Sequence, residues 1–291
     1  MPRREIKLGD RTLSVHDDGA PKGPAILQHH GTPLAGGPYS GWVEDVIERG
    51  ARLISYDRPG YGDSTAVRGR TVADVAADAA AIMDALGVER FATWGISGGG
   101  PHALACAALL PDRVVAVASL AGVAPFDAPG LDYFRGMGEG NIEEFGMAMA
   151  AREHIEHYCE ERARAMLAGT VEQLAEGIAT LVSDVDREAL VGGAIGEYWA
   201  GSLPATFAQG AAGWVDDDMA FVRPFGFELE AIRVPPLVVH GHQDRFVPLD
   251  HGLWLARAIP GAEAWISEEE GHLTLMANRV PDVQGWLLQH F

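Results

Sequence analysis

The sequence predicts an α/β protein: a mostly parallel central sheet flanked by helices and interrupted once by a helical cap, inserted after the sixth strand. Three observations predict it. Strand-like and helix-like runs alternate from Ala25 to Gly122, the order in which parallel strands are joined by crossover helices. The strand run VVAVASLAG is apolar on both faces, as strands of parallel sheets covered by helices on both sides are. The alternation is lost between about residues 124 and 227 and returns at PPLVVHGHQD.

Taken in order, REIKL and RTLSVHD read as two short strands around the turn Gly9-Asp10, the second with alternating apolar positions. AILQHH is a short apolar strand that ends at Gly31. A helix over about 38–49 leads to the strand ARLISYD, and Arg58-Pro59-Gly60-Tyr61-Gly62 is a loop. Thr71 reads as the N-cap of the helix VADVAADAAAIMDALG, with Asp74 in its first turn and Gly87 at its end. FATWG is a strand, HALACAALL a helix and VVAVASLAG a strand. Residues 124–227 are acidic and helical, rich in Gly and Met, with no strong strand. A strand at PPLVVHGHQD, a helix over about 251–259, a strand within AEAWISEEEGH and a last helix near LLQHF complete the chain. The expected organisation is therefore a core in two parts, 1–123 and 228–291, with a cap of 124–227 over the carboxyl ends of the strands, where open α/β sheets bind ligands.

Composition narrows the partners. The chain has 291 residues, 47% of them hydrophobic, enough for a sizeable core. Its net charge of −19 repels polyanions, so neither nucleic acid nor an anionic membrane is expected as a partner. The first ten residues, MPRREIKLGD, are charged and carry no apolar segment, and no run reaches the roughly 18 apolar residues of a membrane span. A cytoplasmic location is expected, with Cys106 and Cys159 as reduced, buried thiols.

The chemistry gathers at the predicted strand ends. Gly95-Ile96-Ser97-Gly98-Gly99 is a G-x-S-x-G between a strand and a helix, where a sharp turn exposes a serine hydroxyl beside the positive end of a helix. A serine hydroxyl needs a base. His272, in Glu270-Gly271-His272 after the last strand, fits that role, and Asp244, in His240-Gly241-His242-Gln243-Asp244, fits as the acid that orients it. The tetrahedral intermediate needs two N–H donors for its oxyanion. Gly98 follows the nucleophile, and Thr32 lies in His29-His30-Gly31-Thr32-Pro33. Pro33 has no N–H, so Thr32 is the choice there. His29 and His30 are expected to hold this loop. Glu153-His154-Ile155-Glu156-His157 sets two histidines at i, i+3, but no third ligand is evident, and a solvated helix without metal is expected. Met137, Met147, Met149 and Met166, with Phe134, Phe145 and Trp199, are expected on the apolar face of the cap.

The segments HGTP, YDRPGYGDS, GISGGG, HGHQDRFVP and EEGHL resemble the α/β-hydrolase superfamily, in the branch that holds proline iminopeptidases, haloperoxidase-like esterases and epoxide hydrolases. The resemblance covers about 24–122 and 235–285. It implies the α/β-hydrolase fold, a triad of Ser97, Asp244 and His272, and an oxyanion hole at Thr32 and Gly98. Where epoxide hydrolases and haloalkane dehalogenases carry Asp, this chain has Ser97. Where iminopeptidases carry HGGPG and G-x-S-W-G, it has HGTPL and GISGG. The expected activity is hydrolysis of a small-molecule carboxylic ester through an acyl-enzyme, without cofactor. An aminopeptidase or amidase on the same triad, and a slow-turnover ligand receptor, are the alternatives.

Overall fold

The computed structural model describes residues 3–291. Its centre is one eight-stranded sheet: β1 (Arg3–Leu8), β2 (Arg11–Gly19), β3 (Ala25–His29), β4 (Arg52–Tyr56), β5 (Phe91–Ile96), β6 (Val114–Leu120), β7 (Pro236–Gly241) and β8 (Glu263–Ser267). The strands lie in the order β1-β2-β4-β3-β5-β6-β7-β8. β2 runs antiparallel to both its neighbours, and every pair from β4–β3 to β7–β8 is parallel. The chain steps from β3 to β4 on one side and then returns to place β5 on the other side of β3. Loops leaving β3 and β5 therefore diverge, which opens a crevice at their carboxyl ends.

Helices cover both faces. α1 (Ser40–Glu48) and α11 (His272–Leu288) pack on one, and α2 (Val75–Ala85), α3 (Gly99–Leu109) and α10 (Leu249–Ala258) on the other. In β7, Leu237 and Val239 join the first layer and Val238 the second, as the two-residue period of a strand requires. This double cover is why the central strands are buried and mostly apolar along both faces.

Between β6 and β7 lie α4 (Glu139–Ala150), α5 (Arg152–Ala168), α6 (Val171–Gly177), α7 (Asp184–Gly192), α8 (Ala194–Thr206) and α9 (Ala212–Phe221). They add no strand to the sheet. They build a small core of their own from Ile155, Cys159, Leu174, Leu203, Phe207 and Trp214, into which Tyr61 of the main body reaches.

One local expectation needs correcting. Thr71 does not cap α2. The helix begins at Val75, and the Asp74 carboxylate accepts hydrogen bonds from the Thr71 backbone N–H at 2.7 Å and hydroxyl at 3.0 Å. The acid has taken the N–H and the hydroxyl of the threonine, so residues 72–74 close tight turns before the helix starts. His272, which follows β8 as expected, is the first residue of α11. No helix among the described residues is long and apolar enough to cross a membrane.

Candidate active site

Ser97 sits between β5 and α3 with φ of +55°, a backbone conformation costly for any residue with a Cβ. The surrounding glycines make the turn possible. A Cβ on Gly95 would run into the carbonyl of Gly99, and one on Gly99 into the carbonyl of His29. Strand and helix approach too closely there for any side chain. The turn leaves Ser97 partly exposed on the wall of a cavity of about 460 Å³, where His272 also stands.

The other predicted partners converge. His272 Nδ1 lies 2.7 Å from Asp244 Oδ2, with both side chains buried. The second oxygen of Asp244 accepts from the backbone N–H of Phe246 at 2.8 Å and of Val247 at 2.9 Å, which fixes the carboxylate. The Phe246 ring stacks on the imidazole with centroids 4.6 Å apart. Burial works to lower the His272 pKa, but the charge and hydrogen bond of Asp244 and the charge of Asp186 outweigh it, and the net shift is upward. Its Nδ1 faces a carboxylate, so the proton belongs on Nδ1 and Nε2 is left to act as a base. His242, in the same segment as Asp244, is exposed and stands 4.0 Å from Glu268, away from this cluster.

Thr32 and Gly98 are also brought together. A Cβ on Gly98 would strike the Thr32 side chain and the Phe221 ring. The backbone N–H groups of Thr32 and Gly98 take no protein acceptor among the described residues. The Thr32–Pro33 peptide is cis. His30 supports this loop. Its Nε2 accepts from the Arg58 backbone N–H at 3.1 Å, so its Nδ1 carries the proton donated to the Gly31 carbonyl at 2.8 Å. Burial, followed by the charge of Arg58, holds the His30 pKa well below its usual value. His29 is buried beside Cys106, its Nε2 3.6 Å from the thiol.

The cavity roof comes from the cap. Phe145, Met166 and Trp199 line it, while Met149 is exposed and Met137 is buried in the main core. His157 pairs with Glu161 at 3.4 Å on the exposed face of α5. No group of three His, Cys, Asp or Glu side chains among the described residues could hold a metal ion.

Sequence reasoning missed the carboxylates that the cap sends inward. Asp186 meets the start of α11, Asp217 meets Thr32, and Asp218 lies against Glu144 on the cavity wall. The run Asp216-Asp217-Asp218 was the available signal, but an acidic run on a helix ordinarily faces solvent.

A doubly covered parallel sheet, a positive-φ serine turn after its fifth strand and a helical insertion before its seventh together define an α/β-hydrolase-type protein. The chain belongs to the alpha/beta hydrolase fold family, whose sequence model matches residues 24–278. It is similar to a 2-hydroxy-6-oxononadienedioate/2-hydroxy-6-oxononatrienedioate hydrolase of Klebsiella pneumoniae, 28% identical, covering 92% of this chain and 87% of that protein. It is also similar to a non-heme haloperoxidase of Rhodococcus erythropolis, 28% identical, covering 84% of this chain and 83% of that protein. In structure it resembles a thermophilic esterase from Thermogutta terrifontis with a TM-score of 0.73 and 23% identity over the whole of both chains, which is a likeness of fold.

Proposed function

We propose that the protein is a serine hydrolase that cleaves a small-molecule carboxylic ester through an acyl-enzyme. The observation that carries this reading is the placement of Ser97, on a positive-φ turn, in the same cavity as a histidine bound to a buried carboxylate. His272 takes the Ser97 proton as the hydroxyl attacks the ester carbonyl. The N–H groups of Thr32 and Gly98 receive the developing oxyanion. His272 then protonates the leaving alcohol, and in the second half it takes a proton from the attacking water and returns it to the Ser97 oxygen as the acyl–serine bond breaks, releasing the acid. Asp244 keeps the imidazole oriented and stabilises its charged form. In this scheme the substrate is a small molecule, and each proton transfer is served by His272 without a cofactor.

The relatives support a second reading, hydrolysis of a carbon–carbon bond in a dioate of the kind named for the Klebsiella protein. The cavity lining speaks for the ester. Its wall is mostly apolar, with Phe145, Met166, Trp199, Phe221 and Leu273, which suits an uncharged acyl group better than one bearing a second carboxylate.

The test is a fluorophosphonate probe with a panel of acyl esters, lactones, amino-acid amides and a 2-hydroxy-6-oxo-dienedioate. Ser97→Ala is expected to lose labelling and turnover while keeping its fold by circular dichroism. A fully labelled Ser97→Ala protein overturns the nucleophile, and turnover of the dioate alone overturns the ester.

A further inference from the structure

We propose that the cap supplies two positioning residues: Asp186, which sets the backbone of His272, and Asp217, which sets the oxyanion loop. The proposal rests on the serine-hydrolase reading above. It makes the cap part of the catalytic framework and not only a roof over the substrate.

Asp186 is fully buried in α7. α11 begins at His272, and the first N–H groups of a helix have no intrahelical acceptor. One Asp186 oxygen accepts from the backbone N–H of His272 at 2.9 Å. The other accepts from Leu273 at 2.8 Å, from Thr274 at 3.1 Å and from the Thr274 hydroxyl at 3.3 Å. The Ser183 hydroxyl steadies the carboxylate at 3.1 Å. Gly271 is there to let it in, since a Cβ at that position would occupy the place of the Asp186 carboxylate. Asp244 thus orients the imidazole ring, while Asp186 holds the peptide from which the ring hangs. A helix N-terminus is electropositive and opposes an imidazolium. The Asp186 charge offsets that end of the helix. The other groups facing His272 are Asp244 and His240, the latter 3.7 Å from Asp244 and held below its usual pKa by burial.

Asp217 does the corresponding work on the other side of Ser97. It is buried in α9 and accepts the Thr32 hydroxyl at 2.6 Å, Arg58 at 2.6 Å, Arg70 at 2.7 Å and the Tyr61 hydroxyl at 2.8 Å. Arg58 also donates to the Thr32 hydroxyl oxygen at 3.1 Å, to the Gly31 carbonyl at 3.3 Å and to the His30 carbonyl. The loop is therefore gripped at its carbonyls and its hydroxyl, which leaves the Thr32 N–H directed by its surroundings and free for substrate. Although burial alone would raise the Asp217 pKa, Arg58 and Arg70 hold it well below the carboxylate range, so the clamp stays charged. An oxyanion donor works only if it is in place before charge develops, and this network fixes it there.

The experiment compares kcat, KM and the pH profile of kcat/KM on a p-nitrophenyl ester turned over by the wild type, for Asp186→Asn, Thr32→Val, Asp217→Asn and Ser97→Ala, each with circular dichroism. Asp186→Asn is expected to lower kcat about tenfold or more, with KM within about threefold, and to move the acid limb to lower pH because His272 loses a neighbouring negative charge. Thr32→Val keeps the backbone N–H but cuts the link to Asp217. It is expected to lower kcat about tenfold without moving the acid limb, and Asp217→Asn to lower it further. If an Asn variant does not fold, Ser183→Ala and Thr32→Val carry the two arms through a single neutral hydroxyl each. A folded set with kcat within about twofold of wild type, or an unmoved acid limb in Asp186→Asn, overturns the proposal. Turnover retained by Ser97→Ala would instead overturn the serine-hydrolase reading on which it stands.

Discussion

At the scale of single residues, His272 is set by opposing forces whose sum has a measurable sign. Burial disfavours its charge, while Asp244 and, more weakly, Asp186 favour it, and the pKa ends above 6.5. In the proposed mechanism only the neutral imidazole can accept the Ser97 proton, so kcat/KM is expected to fall with acid along a limb whose midpoint lies above that of a free histidine. A midpoint below 6.5 would show that burial dominates. Asp244→Asn is expected to keep the fold, lower that midpoint and reduce kcat about a thousandfold or more, because an amide can present its N–H to Nδ1 and select the wrong tautomer. A loss within about twofold would move the acid role to another side chain.

At the scale of elements, α4 and α9 meet at a pair of acids on the cavity wall, Asp218 buried and Glu144 half-buried. Glu144 and Asp218 lie against each other, and two carboxyl groups that close favour a proton on one of them. The Trp214 indole N–H donates to Glu144 at 2.7 Å, and the Cys159 thiol lies 3.8 Å from Asp218. Burial, then the Glu144 charge, pushes Asp218 well above the carboxylate range, and burial raises Glu144 as well. The folded state therefore keeps a proton that the unfolded chain releases once pH passes about 4. Stability is present below that pH and declines as pH rises toward the folded-state pKa values. Glu144→Gln replaces the shared proton with a permanent N–H donor and keeps an acceptor for Trp214. Its melting temperature is expected to match wild type near pH 4 and to exceed it by a growing margin toward pH 8. Parallel curves would mean that the pair is already ionised in the fold.

At the scale of the whole molecule, the net charge of −19 acts on any charged substrate approaching the cavity. Raising ionic strength from about 0.01 to 0.15 M shortens the screening length from about 30 to 8 Å. For a dianionic substrate kcat/KM is expected to rise several-fold over that range, and for a neutral ester it should stay constant. Equal salt responses for the two would remove long-range charge from the account of specificity.

What the sequence by itself determined is what short-range pattern encodes. Doubly covered strands bury both faces and are therefore mostly apolar, so the core strands were legible. A serine turn packed between strand and helix has to be glycine-flanked, so Ser97 was legible from Gly95 to Gly99. Asp244 and His272 were legible as candidates because ligands of open α/β sheets gather beyond the carboxyl ends of the strands, and both residues lie a few positions past one. The tertiary structure alone decided the partners. Asp186 meets His272 across 86 residues, and Asp217 meets Thr32 across 185. Neither separation leaves a local trace. In α9 successive side chains turn by about 100°, so Asp216 faces Arg152, Asp217 the two core arginines and Asp218 the cavity wall with Glu144. Three identical letters thus take three different environments, because a carboxylate's role is set by which charges and N–H groups the fold brings to it.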